Sequence, residues 1–105
     1  MPEPHSFGIK IEKENDGRLA VFVGQRQIKT TPKAAAVLAC LHENAGRVVS
    51  YERLGQAVGF KSMRKQELHV IRQYISWIRK TLAAHRAPCS ITVAPKIGYA
   101  LCRHE

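Results

Sequence analysis

Glu67-Leu-His-Val-Ile-Arg-Gln-Tyr-Ile-Ser-Trp-Ile-Arg-Lys-Thr-Leu82 is a long run with apolar residues at helical spacing. With Ile71 as origin and an advance of about 100° per residue, Leu68, Ile71, Ile75, Ile78 and Leu82 fall in one narrow arc. That spacing predicts a helix over about residues 66–85 with a single apolar seam against a core. The opposite arc collects His69, Gln73, Ser76, Trp77 and Lys80. Arg72 and Arg79 run along one flank, and Val70, Tyr74 and Thr81 along the other. Arg86-Ala87-Pro88 breaks the helix, because the residue before a proline is pushed out of the helical region. Ile91-Thr-Val-Ala-Pro-Lys-Ile-Gly-Tyr-Ala-Leu101 then reads as a short hairpin with Pro95–Gly98 in its turn region and Lys96 at its tip.

Two shorter helices precede the long one. Thr31 is placed to cap free amides, and Pro32 fits the first helical position because it has no amide to leave unpaired. Ala34, Val37, Leu38 and Leu41 recur at helical spacing, Cys40 falls on the same oily face, and Gly46 closes the segment. Val48-Val49 reads as an extended link. Ser50 caps the second helix, with Glu52 near its positive end. Leu54, Ala57 and Val58 are its inward set, and Gly59 stops it. Gly59–Gln66 is a loop rich in Lys61, Arg64 and Lys65.

Residues 6–30 carry a different period. Phe7, Ile9 and Ile11 alternate with Gly8, Lys10 and Glu12, as in a half-buried strand. Asn15-Asp16-Gly17 is a turn signal, and Leu19, Val21 and Val23 alternate again. Gly24-Gln25-Arg26 makes a second turn before a short strand over 27–30. The expected fold class is therefore α+β: an N-terminal antiparallel meander, three helices and a C-terminal hairpin. Two short helices leading into a longer basic one, with a hairpin straight after, is the order of a winged helix-turn-helix. With 105 residues, no linker and no internal repeat, residues 1–105 form one domain in this reading.

Charge narrows the function. The net charge is +9, and residues 1–24 carry −1, so +10 falls on residues 25–105. A one-sided positive field favours polyanions, chiefly nucleic acid or an anionic membrane. No apolar run approaches the roughly 20 residues that span a bilayer. Pro2, Glu3, Pro4 and His5 are not followed by the apolar stretch of a secretory leader. Both readings point to the cytoplasm for this part of the chain, without membrane contact.

Catalytic and metal chemistry find no support. Cys40, Cys89 and Cys102 lack zinc-ligand spacing. Cys89 and Cys102 flank the hairpin, which brings them near each other, and a reducing compartment keeps them as free thiols. His69 has no second ligand three or four residues away, Ser76 has no general base nearby, and glycine-rich phosphate loops are absent. The chain reads as a non-enzyme without cofactor or metal.

The polar face of the long helix suits a DNA major groove instead. A glutamine such as Gln73 can bond an adenine edge through both amide groups, Arg and Lys can bond guanine, and an apolar surface can touch a thymine methyl. Arg72 and Arg79 on the flank, His69 and the hairpin lysine Lys96 would meet phosphates. Trp77 departs from a solvated face, since water exposure would leave a large apolar surface uncovered. It packs on the second helix or wing, meets a partner, or touches DNA directly. The DNA-binding set is His69, Arg72, Gln73, Ser76, Trp77, Arg79, Lys80 and Lys96. The competing reading is a winged-helix protein-interaction module without specific operator reading, its patch formed by Trp77, Tyr74 and Val70.

These residues resemble the OmpR/PhoB-type effector domain, the DNA-binding half of many bacterial two-component response regulators, found also at the head of membrane-anchored ToxR/CadC-type regulators. Thr31-Pro-Lys-Ala-Ala-Ala-Val-Leu38 resembles that family's opening of helix one. Asn44-Ala-Gly-Arg-Val-Val-Ser-Tyr-Glu-Arg-Leu54 is similar to its N-x-G-x-V-[VL]-S-R-E-x-L. Ile78-Arg-Lys-Thr-Leu82 looks like its L-R-K-x-L, and Thr92-Val-Ala-Pro-Lys-Ile-Gly-Tyr99 resembles its wing, with the Pro-Lys form closer to the ToxR/CadC branch.

The resemblance implies recognition by helix three in the major groove and a minor-groove or backbone contact by the wing at 94–99. It implies that Lys61, Arg64 and Lys65, between helices two and three, touch RNA polymerase or its sigma subunit. It implies tandem homodimers on direct repeats. This sequence departs from the family pattern at Tyr51, where an arginine is usual, around Val58-Gly59-Phe60, where a tryptophan is usual, at Ser76 and Trp77 in the reading helix, and at Pro95 in the wing. No aspartate-rich receiver is visible. The start at Met1 suits a stand-alone protein, an excised domain or the head of a longer regulator.

Overall fold

The structure, a computed structural model, describes residues 7–104; Pro2, Glu3, Pro4 and His5 lie outside them. Chain order is β1 (Ile9–Lys13), β2 (Leu19–Val23), β3 (Arg26–Ile28), α1 (Pro32–Glu43), β4 (Val48–Ser50), α2 (Tyr51–Ala57), α3 (Lys65–Ala84), β5 (Cys89–Ala94) and β6 (Gly98–Arg103). The meander β1-β2-β3 is antiparallel, as the period-two pattern predicts, with Ile9 opposite Val23 and Val21 opposite Ile28. Its buried row, Ile9, Val21, Val23 and Ile28, joins the helices in one core.

Local chemistry sets the helix starts. Thr31 Oγ1 accepts from the Ala34 amide at 3.3 Å with Pro32 at the first turn, and Ser50 Oγ accepts from the Arg53 amide at 3.2 Å. Ala34, Val37, Leu38 and Leu41 are buried on α1. On α3 the seam Ile71, Ile75, Ile78 and Leu82 is fully enclosed, and Leu68 is half-buried at its edge. Enclosing each such side chain stabilises the fold by about 1.5–3 kcal/mol.

Three local expectations are corrected. Val48-Val49 is not a bare link but part of β4, which pairs with β6 in the order β4-β6-β5. Val49, opposite Tyr99, is buried, whereas Val48 is half exposed. Ala57 is exposed, and Gly55 is buried in its place. The cause is Met63, whose Sδ occupies the space where a Gly55 side chain would begin, so α2 presents its glycine to the overlying loop. Cys40 is half-buried beside the core rather than within it.

The hairpin cysteines do not meet. Cys89 pairs with Arg103 and Cys102 with Ser90, so the two thiols sit one register step apart and point to opposite sheet faces. All three cysteines are free. Burial pushes the Cys89 thiol up from 9.0 to about 11. A raised thiol pKa leaves its share of stability intact below the unfolded value near 9, and that share is lost as pH climbs through about 11. At pH 8, alkylation followed by mass spectrometry is expected to mark Cys102 first and Cys89 only after unfolding, because the thiolate is the reactive form.

Candidate nucleic-acid interface

The 20-residue α3 crosses the domain with its seam inward, which turns His69, Arg72, Gln73, Ser76, Arg79 and Lys80 outward. All six are exposed, and Trp77 is 36% exposed beside them. Glu67, in the first turn, is the last acidic residue before Glu105, so residues 68–104 carry no carboxylate side chain to neutralise this face. Among the described residues, the side-chain ion pairs Lys10–Glu12 and Arg18–Asp16 both lie in the meander.

The wing is built onto α3 rather than hung beside it. Arg79 donates from Nε and Nη2 to the Ile91 carbonyl oxygen at 3.2 and 3.1 Å. Ile91 lies on β5, an edge strand, and the guanidinium occupies an edge acceptor that another strand would otherwise seek. The same guanidinium stands 5.9 Å from the Tyr99 ring centre. Tyr99 in turn meets Tyr51 edge to face, with ring centres 5.7 Å apart. Burial first, and then Tyr51, raise the Tyr99 phenol, while Arg72 and Arg79 pull the other way. Arg72 and Arg79 therefore share the wing-side flank, as their helical angles predict. Of the two, Arg79 has a protein partner and acts on the wing's position.

The tip is pinned as well. Pro95, Lys96 and Ile97 form the turn, closed by the Ile97 amide donating to the Ala94 carbonyl at 3.0 Å. Lys96 adopts φ +66°, a left-handed conformation uncommon for a residue with a side chain, and its side chain is exposed. The Ile97 carbonyl accepts from the Tyr51 amide at 3.0 Å, which ties the tip to the first residue of α2. Gly98 explains the Gly-Tyr pair of the wing. A Cβ there would overlap the Val49 carbonyl oxygen and come within 2.8 Å of its carbon and 2.9 Å of Ser50 Cα. Only glycine lets β6 lie this close to β4.

Trp77 corrects one expectation. The open hollows that it lines are bordered by neither α2 nor the wing, but by Ile28, Lys29, Thr30, Thr31 and Ala34, at the exit of β3 and the start of α1, together with other residues of α3. Its helical angle puts it on the flank opposite Arg72, and the chain entering α1 is what lies there. Lys61 and Arg64 are exposed in the loop after α2, and Lys65 is the first residue of α3, one position earlier than its periodicity suggested. Arg64 occupies the N-cap position of α3 without a side-chain capping bond. Sequence reasoning missed Tyr51, Ile91 and Gly98 as the residues that fix the wing. The Gly-Tyr pair was the one visible signal.

Among the described residues no group of His, Cys, Asp or Glu is arranged to hold a metal, and no helix is long and apolar enough to cross a membrane. Among solved structures, the chain is similar to the DNA-binding domain of E. coli CadC, with 30% identity, TM-score 0.62, and 78% of this chain covering 77% of that one. It also shares its fold with a C128D mutant of RitR, at 21% identity and TM-score 0.60, covering 82% of this chain and 37% of that longer one. No curated protein matches it. Residues 24–101 match the family model described as "Transcriptional regulatory protein, C terminal", which takes in every element from β3 to most of β6. The chain therefore belongs to this family of C-terminal domains of transcriptional regulatory proteins, whose winged-helix fold it adopts and whose role is regulatory rather than enzymatic.

Proposed function

We infer that the domain binds double-stranded DNA to regulate transcription, with α3 in the major groove and Lys96 near the backbone or minor groove. The observation that carries this reading is the exposed, carboxylate-free face of α3 beside a wing fixed to it by Arg79. An α-helix about 10–12 Å across fits a major groove about 12 Å wide. The likeness to the DNA-binding domain of E. coli CadC supports the same reading.

Within it, Gln73, Ser76 and Lys80 are the base-reading group, and His69, Arg72 and Lys96 meet phosphates. Arg79 holds the wing through the Ile91 carbonyl. Trp77 stands at the margin of the reading face. Lys61, Arg64 and Lys65 form a basic corner for RNA polymerase or its sigma subunit, and two copies sit in tandem on direct repeats. The domain works on the cytoplasmic side.

Selection of duplexes from a random pool, followed by binding titrations against salt, tests this. Affinity is expected to fall steeply with salt, with a log–log slope of about −0.9 per phosphate contact. Lys96→Ala should weaken all duplexes alike and make that slope shallower by about 1. Gln73→Ala should relax preference at one base position by about 1–3 kcal/mol. Failure to shift any duplex at low salt would overturn the reading and favour a protein-interaction module.

A further inference from the structure

The single tryptophan of this chain divides two open hollows. One, about 470 Å³, is lined by Ala34, Tyr74 and Trp77 together with Lys29, Thr30 and Gln73. The other, about 450 Å³, is lined by Ile28, Lys29, Trp77, Lys80, Ala84 and His85, among others. Under the indole, a small cleft between Ile28, Leu38 and Leu82 opens onto the core. The hollows share Lys29 and Trp77 and lie side by side along the flank of α3, a two-part groove bordered by the exit of β3 and the first turn of α1.

Three properties describe what fits there. Aromatic and aliphatic side chains contribute much of its floor. The charged groups lining it are Lys29 and Lys80, with His85 at one end and no carboxylate among the described residues. Each hollow has the volume of a ligand pocket, yet both open broadly to solvent, which suits an extended chain crossing the two better than a small molecule needing enclosure. Trp77 lies about 60° around the helix from Lys80, away from the wing, so the groove adjoins the reading face rather than forming its centre. Phosphodiesters would satisfy Lys29 but leave the indole without an apolar partner.

We propose that this groove docks a short acidic segment of a partner protein, with one apolar side chain against Trp77 and a carboxylate beside Lys29, which lines both hollows. Buried tryptophans ringed by polar contacts are frequent anchors of protein interfaces. The surrounding positive field draws an acidic segment in and rejects a basic one. The site adds a protein contact to the regulator without displacing its DNA.

Trp77 is its own reporter. The probe is a seven-residue peptide of Asp and Glu with one central Leu, titrated at low salt into the whole domain while indole emission is followed. A saturable blue shift is expected, with half-saturation on the order of 100 μM. It should be lost when the central Leu is replaced by Ser and absent with a lysine peptide of the same length. Lys29→Glu should weaken the peptide about tenfold, and Lys29→Arg should hold it within about twofold, since the charge is the attraction. Lys29 is exposed and outside the DNA-binding set, so both variants should fold and bind duplex within about twofold.

Peptide and duplex should bind together, each weakening the other less than about fivefold, since the groove only borders Gln73 and Lys80 of the reading face. Three results overturn the proposal: no saturable change with any peptide, full displacement of the peptide by duplex, or a blue shift on concentrating the protein alone with dimer in sedimentation. Displacement would return the groove to DNA. Dimer formation would assign it to a second copy, whose Glu12, Glu14 and Asp16 form an exposed acidic tip. Duplex binding is measured separately, so failure of the docking site leaves the DNA reading standing.

Discussion

Gly98→Ala is expected to lower stability by about 3 kcal/mol, read as a fall in the urea midpoint with the slope unchanged. The added methyl has no flexible side chain to displace. It meets the Val49 carbonyl and Ser50 Cα, both backbone atoms of β4. The only relief is to move β4 from β6, which breaks the pairing of Ser50 with Gly98 and exposes Val49 and Tyr99. Gly17→Ala makes a useful contrast. That glycine has a left-handed φ of +86° but open space around it, so its cost is conformational and near 1 kcal/mol. Equal losses at the two positions would mean that strand spacing is not what Gly98 protects.

Arg79→Met is expected to cost about 1–2 kcal/mol of stability, because the Ile91 carbonyl loses a charged double donor. Duplex affinity should fall about tenfold through misplacement of the wing, while the salt slope changes by less than the roughly 0.9 that a lost phosphate contact would produce. Arg79→Lys should recover only part of both losses, since an ammonium cannot present the planar fork that reaches one oxygen from two nitrogens. A slope made shallower by a full unit, with stability unchanged, would instead place Arg79 on the phosphate backbone.

Much of this molecule was readable from the chain, and the unread parts share a cause. Thr31-Pro32 and Ser50 mark helix starts because capping is a matter of three or four adjacent residues. The seam of Ile71, Ile75, Ile78 and Leu82 is equally local, and it leaves the exposed face by subtraction. Val48-Val49 was misread because three residues show no period, and only partners about fifty positions away make them a strand. Ala57 was misplaced because α2 spans only seven residues and Met63 decides which side is covered. For Trp77 and Arg79, the helical wheel gave direction without neighbour. The angle of Arg79 is fixed by α3, but its acceptor belongs to a strand edge, and what Trp77 meets depends on how the meander enters α1.

The pairing of β4 with β6 carries a consequence for how the molecule comes into being. Residues 48–50 wait for residues 98–100, so the reader geometry cannot exist on a nascent chain until that later strand has been translated. Until then Val49 has no cover, and the segment around it is a greasy stub open to chaperones and to wrong partners. A premature stop anywhere before Gly98 would therefore yield not a wingless reader but a chain that never closes.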